Sequence, residues 1–304
     1  MTRVSNYVVA YEATDRGREA IQLGIALARL THAELRLCMI LARSTAIPAK
    51  VHPSTHDFDV LLEEQAEQWV AAAAARVPSD LVVSTHVLWA DSTSEGLIEA
   101  AQRFQSDRIV VGAMRGGILN RFTIGSVANA LLHASPVPVA LAPHGYRAPA
   151  AVTRITCAIG TRPGWQALLD SMVTLSEGLH VDLRFVTLVE ADAPRSRGSQ
   201  DTTPRHAHDD SAKADSVAHL NEVLAYFQER SHSLGTVTTE VASGPSVEAA
   251  VEALDWRDDE IAFVGSSRLA SPSRIFLGIT AHRMLHGLPV PLVVVPNSPH
   301  PAST

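Results

Sequence analysis

The chain has 304 residues, 46% of them hydrophobic and 19% charged, with a formal net charge of −7. That composition provides for a sizeable buried core and excludes a disordered chain. The length fits two domains of roughly 150 residues, and the acidic balance excludes a general nucleic-acid surface, which needs a basic stripe. The two cysteines, Cys38 and Cys157, each lie in an apolar, strand-like run and read as reduced core residues. The N-terminal residues show no basic region followed by an apolar segment, and no apolar run reaches the roughly 18 to 20 residues of a membrane span. The expected location is the cytoplasm, with neither nucleic acid nor membrane as a partner.

In chain order, Tyr7 to Tyr11 is a short apolar strand. A helix follows, with Ala20, Ile21, Leu23, Leu27 and Leu30 on one face and Thr14 or Asp15 as its cap. Leu35 to Leu41 is the second strand, and residues 43 to 57 read as a loop. Val60 to Ala75 is a long helix, Leu81 to Trp89 a third strand and Ser94 to Phe104 a helix. Ile109 to Val111 is the fourth strand; Val137 to Ala142 is the fifth, where prolines point to a sheet edge. Strands that are apolar on both faces and alternate with helices describe a parallel sheet covered on both sides.

The pattern then recurs. Strands are predicted at Ile155 to Ile159, Val181 to Val189, Val237 to Val241 and Glu260 to Val264. Helices are predicted at Gly164 to Leu179, Lys213 to Ser231 and Ser246 to Leu254, with a polar, mobile stretch over 191 to 212. A shift of 153 carries Gly112 to Gly265, Arg115 to Arg268, Gly125 to Gly278, His133 to His286, and Pro136, Pro138 and Pro143 to Pro289, Pro291 and Pro296. Seven identities on one register mark a tandem duplication. Its seam lies between Pro143 and Ala151, with repeat 1 over 1–147 and repeat 2 over 151–300.

The organising stretch is Val111 to Val127. Gly112 ends a buried strand, a loop follows, and Gly125-Ser126 opens a helix. Free backbone N–H groups at a helix start, beside a hydroxyl and glycines that admit close approach, form the layout of an anion site. No Gly-x-x-x-x-Gly-Lys-Ser/Thr loop, Gly-x-Gly-x-x-Gly fingerprint or Gly-x-Ser-x-Gly elbow is present, and no catalytic constellation stands out. His206, His208, Asp209 and Asp210 have metal-ligand character but lie in the polar stretch, so no metal centre is expected.

The spacing Gly112, two residues, Arg115, nine residues, Gly125-Ser126, followed by Pro136-Val137-Pro138-Val139, resembles the universal stress protein family in its tandem form. Arg115 stands where the family has its second glycine, and Glu12 where nucleotide-binding members carry Asp. The resemblance implies an α/β fold of two tandem, doubly wound, five-stranded, mostly parallel sheets of the adenine nucleotide alpha hydrolase-like type. It implies ATP with Mg²⁺ in repeat 1, contacted by Ala10, Glu12, Ile40, Val111, Gly112, Arg115, Gly125, Ser126 and Val127. Repeat 2 is not expected to bind ATP: Ile279 replaces the hydroxyl, Gly160 replaces the first-strand acid, and no glycine lies between Arg268 and Gly278. The expected function is a stress-response regulatory module, not a dedicated enzyme, acting as a homodimer with regulatory protein partners. The alternatives are a nucleotide-free interaction module, in which the loops serve packing and the fifth strands of the two repeats pair, and a slow ATPase.

Overall fold

The computed structural model describes residues 3–43, 54–112, 114–115, 122–162, 164–191, 205–267 and 275–296. In repeat 1 the strands are β1 (Asn6–Ala10), β2 (Glu34–Ala42), β3 (Val83–Ala90), β4 (Arg108–Gly112), the two-residue β5 (Met114–Arg115) and β6 (Phe122–Thr123), and β7 (Val139–Ala142). The helices between them are α1 (Asp15–Thr31), α2 (Ser54–Ala74), α3 (Thr93–Arg103) and α4 (Ser126–Ala134). Repeat 2 supplies β8 (Arg154–Ala158), α5 (Gln166–Ser176), β9 (Asp182–Glu190), α6 (Arg205–Arg230), β10 (Val237–Gly244), α7 (Val247–Glu252), β11 (Glu260–Gly265), α8 (Ile279–Gly287) and β12 (Leu292–Val295). The expected elements are present with ends moved by a few residues. The largest shifts are α2, which starts at Ser54 inside the expected loop, and α6, which starts at Arg205 inside the expected polar stretch.

Two parallel five-stranded sheets join edge to edge into one ten-stranded sheet, in the order β10-β9-β8-β11-β12-β7-β4-β1-β2-β3. The join is an antiparallel pairing of β7 with β12, with Leu141, Ala140 and Val139 opposite Leu292, Val293 and Val294. The prolines near the fifth strand therefore do not mark an outer edge. Pro138 precedes β7, and its carbonyl accepts from the Ile109 N–H at 2.9 Å. Proline lacks only the donor, so it fits at a strand's start without breaking the ladder.

The central strands are buried on both faces, which is why they read as unbroken apolar runs, whereas the outer strands β3 and β10 are only partly buried. One face packs under α1, α2, α5 and α6, through Leu23, Val70, Leu169 and Leu220; the other packs under α3, α4, α7 and α8, through Leu97, Leu131, Val251 and Leu285. Cys38 and Cys157 are free and buried, as the sequence implied. Burial raises the Cys38 thiol to about 12, so it stays protonated near neutral pH. Local signals set the helix starts. Ser92 and Glu95 form a reciprocal cap at α3: the Glu95 N–H donates to Ser92 Oγ at 3.2 Å, and that hydroxyl donates to the Glu95 carboxylate at 3.1 Å. Among the described residues no helix is long and apolar enough to cross a membrane.

Repeat 2 carries a buried ionic cluster at the N-terminal ends of its strands. Glu260 is fully buried; it accepts from Arg154 at 2.5 Å, from Arg184 at 3.0 Å, from the Thr156 hydroxyl and from the Arg257 N–H at 3.1 Å. Removing one member of such a cluster leaves charge buried without compensation. Glu260→Ala is expected to lower stability by about 3–5 kcal/mol, read from the urea midpoint; a shift under about 1 kcal/mol would contradict the role given to the cluster. At the α7–α8 contact, Arg283 donates twice to Glu248, at 3.0 Å each, and lies 2.6 Å from Glu190. The Arg283 hydrogen bonds hold the Glu248 carboxyl well below its ordinary 4.5, at about 2. The lowered folded value means that this stabilisation is present above about 4.5 and is lost as pH falls towards about 2. Glu248→Gln is expected to flatten the pH dependence of stability across that window, measured by thermal unfolding.

Candidate functional site

A cleft of about 280 Å³ opens at the C-terminal ends of β1, β2 and β4, where the strand order reverses. That is the usual ligand position of an open α/β sheet. Ala10, Glu12, Ile40, Val111, Gly112, Gly125, Ser126 and Val127 all line it, so eight of the nine residues expected from the sequence converge. Cys38, Ile40 and Val111 give it apolar walls, and the starts of α1, α3 and α4 surround its mouth through Arg16, Thr93 and Ser126.

The anion-binding potential lies mainly at α4. Its cap residue, Gly125, is extended (φ −71°, ψ 165°) and gives no side-chain hydrogen bond to the helix start. The first N–H groups of a helix have no partner within it, and the macrodipole favours negative charge there. Ser126 is exposed, with Val127 and Ala128 behind it in the cleft lining.

Gly112 has a second, structural reason to be glycine. A β-carbon there would lie 2.3 Å from the Arg16 carbonyl oxygen, and one at Gly17 would lie 2.0 Å from the Glu12 carbonyl oxygen. The first turn of α1 thus presses directly on the ends of β1 and β4. Arg16 and Gly17 were not among the expected site residues. The available signals were a glycine inside the first helical turn and the i, i+4 spacing of Glu12 and Arg16.

Glu12 lies 3.0 Å from Arg16 and within 3.4 Å of the Thr14 hydroxyl. Its charge is offset by Arg16, so the mouth is not dominated by a bare carboxylate. Arg115 lies in β5, paired antiparallel with Phe122 in β6, and not in an open loop. Extended backbone accepts a β-carbon, which removes the strain that a left-handed turn would impose on Arg115. The Arg115 side chain lies outside the described residues, as do those of His206, His208, Asp209 and Asp210.

The matching region of repeat 2 is built for packing. At the start of α8, Ile279 stands at the Ser126 position and is 82% exposed. Ser266 accepts from the Phe276 N–H at 2.7 Å and donates to its carbonyl at 3.1 Å. The segment after it docks on the end of α4: the Ile275 N–H donates to the Ser135 carbonyl at 2.9 Å, and the Leu277 N–H to the Leu132 carbonyl at 3.1 Å. The ring of His133 meets that of Phe276 edge-on at 5.1 Å, while its Nδ1 lies 2.7 Å from the Asn129 carbonyl of its own helix. These contacts satisfy carbonyls at the C-terminal end of α4, which have no partners within the helix.

The model of the universal stress protein family matches residues 5–143 and, a second time, residues 151–296. The chain belongs to the universal stress protein family. It is 29% identical over 300 residues to universal stress protein Rv2319c of Mycobacterium tuberculosis and to Mb2346c of Mycobacterium bovis, covering 95% of this chain and 99% of each relative. A solved universal stress protein of Archaeoglobus fulgidus shares the fold with a TM-score of 0.63 at 17% identity, covering 96% of this chain and 98% of that one. A putative universal stress protein of Pseudomonas aeruginosa shares it with a TM-score of 0.57 at 15% identity, over 96% and 93% of the two chains. The tandem, doubly wound architecture read from the sequence is thus that of the family.

In this universal stress protein, Gly112→Ala tests the packing role of the cleft glycine. The forced β-carbon is expected to cost about 1–3 kcal/mol of unfolding free energy in urea. A variant as stable as the parent would show that the contact with Arg16 imposes nothing.

Proposed function

We propose that this tandem universal stress protein is a regulatory module of the stress response that takes ATP, with Mg²⁺, in repeat 1 alone. The observation that carries the reading is the convergence of an uncapped α4 start, an exposed Ser126 and an apolar slot beside Ile40 on one cleft. The donor set fits a nucleotide. Phosphates would take the N–H groups of the α4 start and the Ser126 hydroxyl, with Arg16 at the mouth, and the base would lie against Ile40 and Ala10. Among the described residues no group of three or more His, Cys, Asp or Glu could hold a metal. Mg²⁺ would therefore arrive on the phosphates, its usual mode with nucleotides. The units would be 1–147 and 151–300, acting in the cytoplasm through regulatory protein partners. Both fifth strands pair within the chain, so a homodimer would form through other surfaces.

A second reading is favoured in repeat 2 by the docking of residues 275–277 on α4. There the family loop serves packing between the repeats, without nucleotide. Neither reading needs a dedicated catalytic centre; at most, slow ATP hydrolysis accompanies binding.

Calorimetry with ATP and Mg²⁺ is expected to show one site per chain. Ser126→Glu, which sets a like charge against the phosphates, is expected to weaken binding tenfold or more, a loss of at least about 1.4 kcal/mol. No heat at millimolar ATP with folded protein sinks the reading. A nucleotide-free mass spectrum of the purified chain, together with no binding, would favour packing loops in both repeats.

A further inference from the structure

The two family loops cross between the repeats. The shift of 153 sets Phe122 and Thr123 of repeat 1 opposite Ile275 and Phe276 of repeat 2. Each pair lies against the last helix of the other repeat: β6 against α8, and residues 275–277 against the end of α4.

The contact on α4 is anchored in the sheet of repeat 2. The Ser266 N–H donates to the Val295 carbonyl, at the end of β12, at 2.7 Å. Ser266 in turn grips Phe276: the Phe276 N–H donates to its Oγ at 2.7 Å, and the Phe276 carbonyl accepts from that hydroxyl at 3.1 Å and from the Ser267 N–H at 2.7 Å. The residues on either side of Phe276 then reach repeat 1. Ile275 and Leu277 are buried in one core with Leu131 and Leu132 of α4, and their N–H groups meet the Ser135 and Leu132 carbonyls. The Phe276 ring closes the contact edge-on against His133.

α4 is the helix whose start faces the cleft. It has nine residues, roughly 13 Å at 1.5 Å per residue. A helix so short moves as one body, so a constraint at its C-terminal end also fixes where its first N–H groups point. Its own repeat supports it through α3 and β7, while repeat 2 supplies the donors for the Leu132 and Ser135 carbonyls. Hydrogen bonds to a ligand weaken steeply with misalignment, so a small rotation of α4 would be felt at the site.

We propose that repeat 2 positions the start of α4, with Phe276 as the positioning residue, and thereby sets the affinity of the repeat 1 cleft for nucleotide. The consequence for affinity rests on ATP binding in repeat 1; the placement of α4 does not. Coupling of this kind is reciprocal, so ATP in the cleft also tightens the contact of residues 275–277 on α4.

The test uses the full chain and three variants. Phe276→Ala removes the ring, and because Phe276 is 38% exposed the core stays filled. Phe276→Tyr keeps the ring. Val223→Ala removes buried volume from α6 on the other face of the sheet. Circular dichroism verifies that each variant folds. Without ligand, hydrogen exchange is read at the Asn129 amide, which makes the first bond of α4, to the Gly125 carbonyl at 2.8 Å. It is expected to be at least about fivefold faster in Phe276→Ala, with Phe276→Tyr and Val223→Ala within about twofold of the parent. Calorimetry with ATP and Mg²⁺ is expected to show affinity lowered at least about fivefold in Phe276→Ala and within about twofold of the parent in the other two. Unchanged exchange at Asn129 in Phe276→Ala overturns the proposal, as does equal acceleration in Val223→Ala. So does an unchanged ATP affinity in Phe276→Ala when the parent binds ATP. A parent that binds no ATP removes the nucleotide reading instead, and the Asn129 exchange rates then decide the placement of α4 by themselves.

Discussion

Each five-stranded unit would end in a fifth strand with unpaired backbone groups along one side. Unpaired edges invite association with other chains, and buried unpaired groups cost free energy. Here the two edges cover each other, three residues against three, in an antiparallel ladder between β7 and β12. Much of the molecule depends on that short pairing. It merges two sheets into one with a common core on each face, sets the end of repeat 1 against repeat 2, and brings the loop before α8 onto the end of α4.

The duplication has let the two repeats diverge around a shared frame. In repeat 1, the strand-end region stays open as a cleft beneath an uncapped helix start. In repeat 2, Ser266 is tied to Phe276, Ile275 and Leu277 are tied to the α4 carbonyls, and an exposed Ile279 stands where the hydroxyl would be. Charge has diverged as well. Repeat 2 buries Glu260 with Arg154 and Arg184, whereas repeat 1 uses Asp107, which accepts from the Ser5 hydroxyl at 2.7 Å and the Asn6 N–H at 3.0 Å. Removing one member of a buried ion cluster leaves the others charged and uncompensated, so its members stabilise the fold only together.

Gly112 shows how one residue can serve two demands. A glycine at a strand end is commonly read as clearance for a ligand, yet the atom nearest to its absent β-carbon is the Arg16 carbonyl oxygen. Close packing of α1 on β4 and openness of the cleft are therefore not separable at this position. Glu12 is similar: its pairing with Arg16 ties the acid of the first strand to the helix that follows it.

Composition, periodicity and the shift of 153 determined the fold class, the duplication, the succession of strands and helices along the chain and the buried cysteines. These properties follow from local runs and spacings, and a strand buried on both faces is apolar wherever it sits. Of the eight expected residues that line the cleft, Ala10, Glu12, Ile40, Val111 and Val127 came with the family resemblance, while Gly112, Gly125 and Ser126 were legible in the strand–loop–helix layout. Arg16 and Gly17 were not, because their part in the cleft depends on how closely α1 approaches β1 and β4. The prolines beside the fifth strand pointed to an edge, and pairing of the two fifth strands was among the expected alternatives; the tertiary structure shows that they pair within the chain, antiparallel and in the register of Leu141 with Leu292. Pairing between strands distant in sequence is set by which backbone groups remain unsatisfied after local folding, and no local pattern records that. The extended backbone at Arg115 and the docking of Ile275 and Leu277 on α4 follow from contacts of that kind.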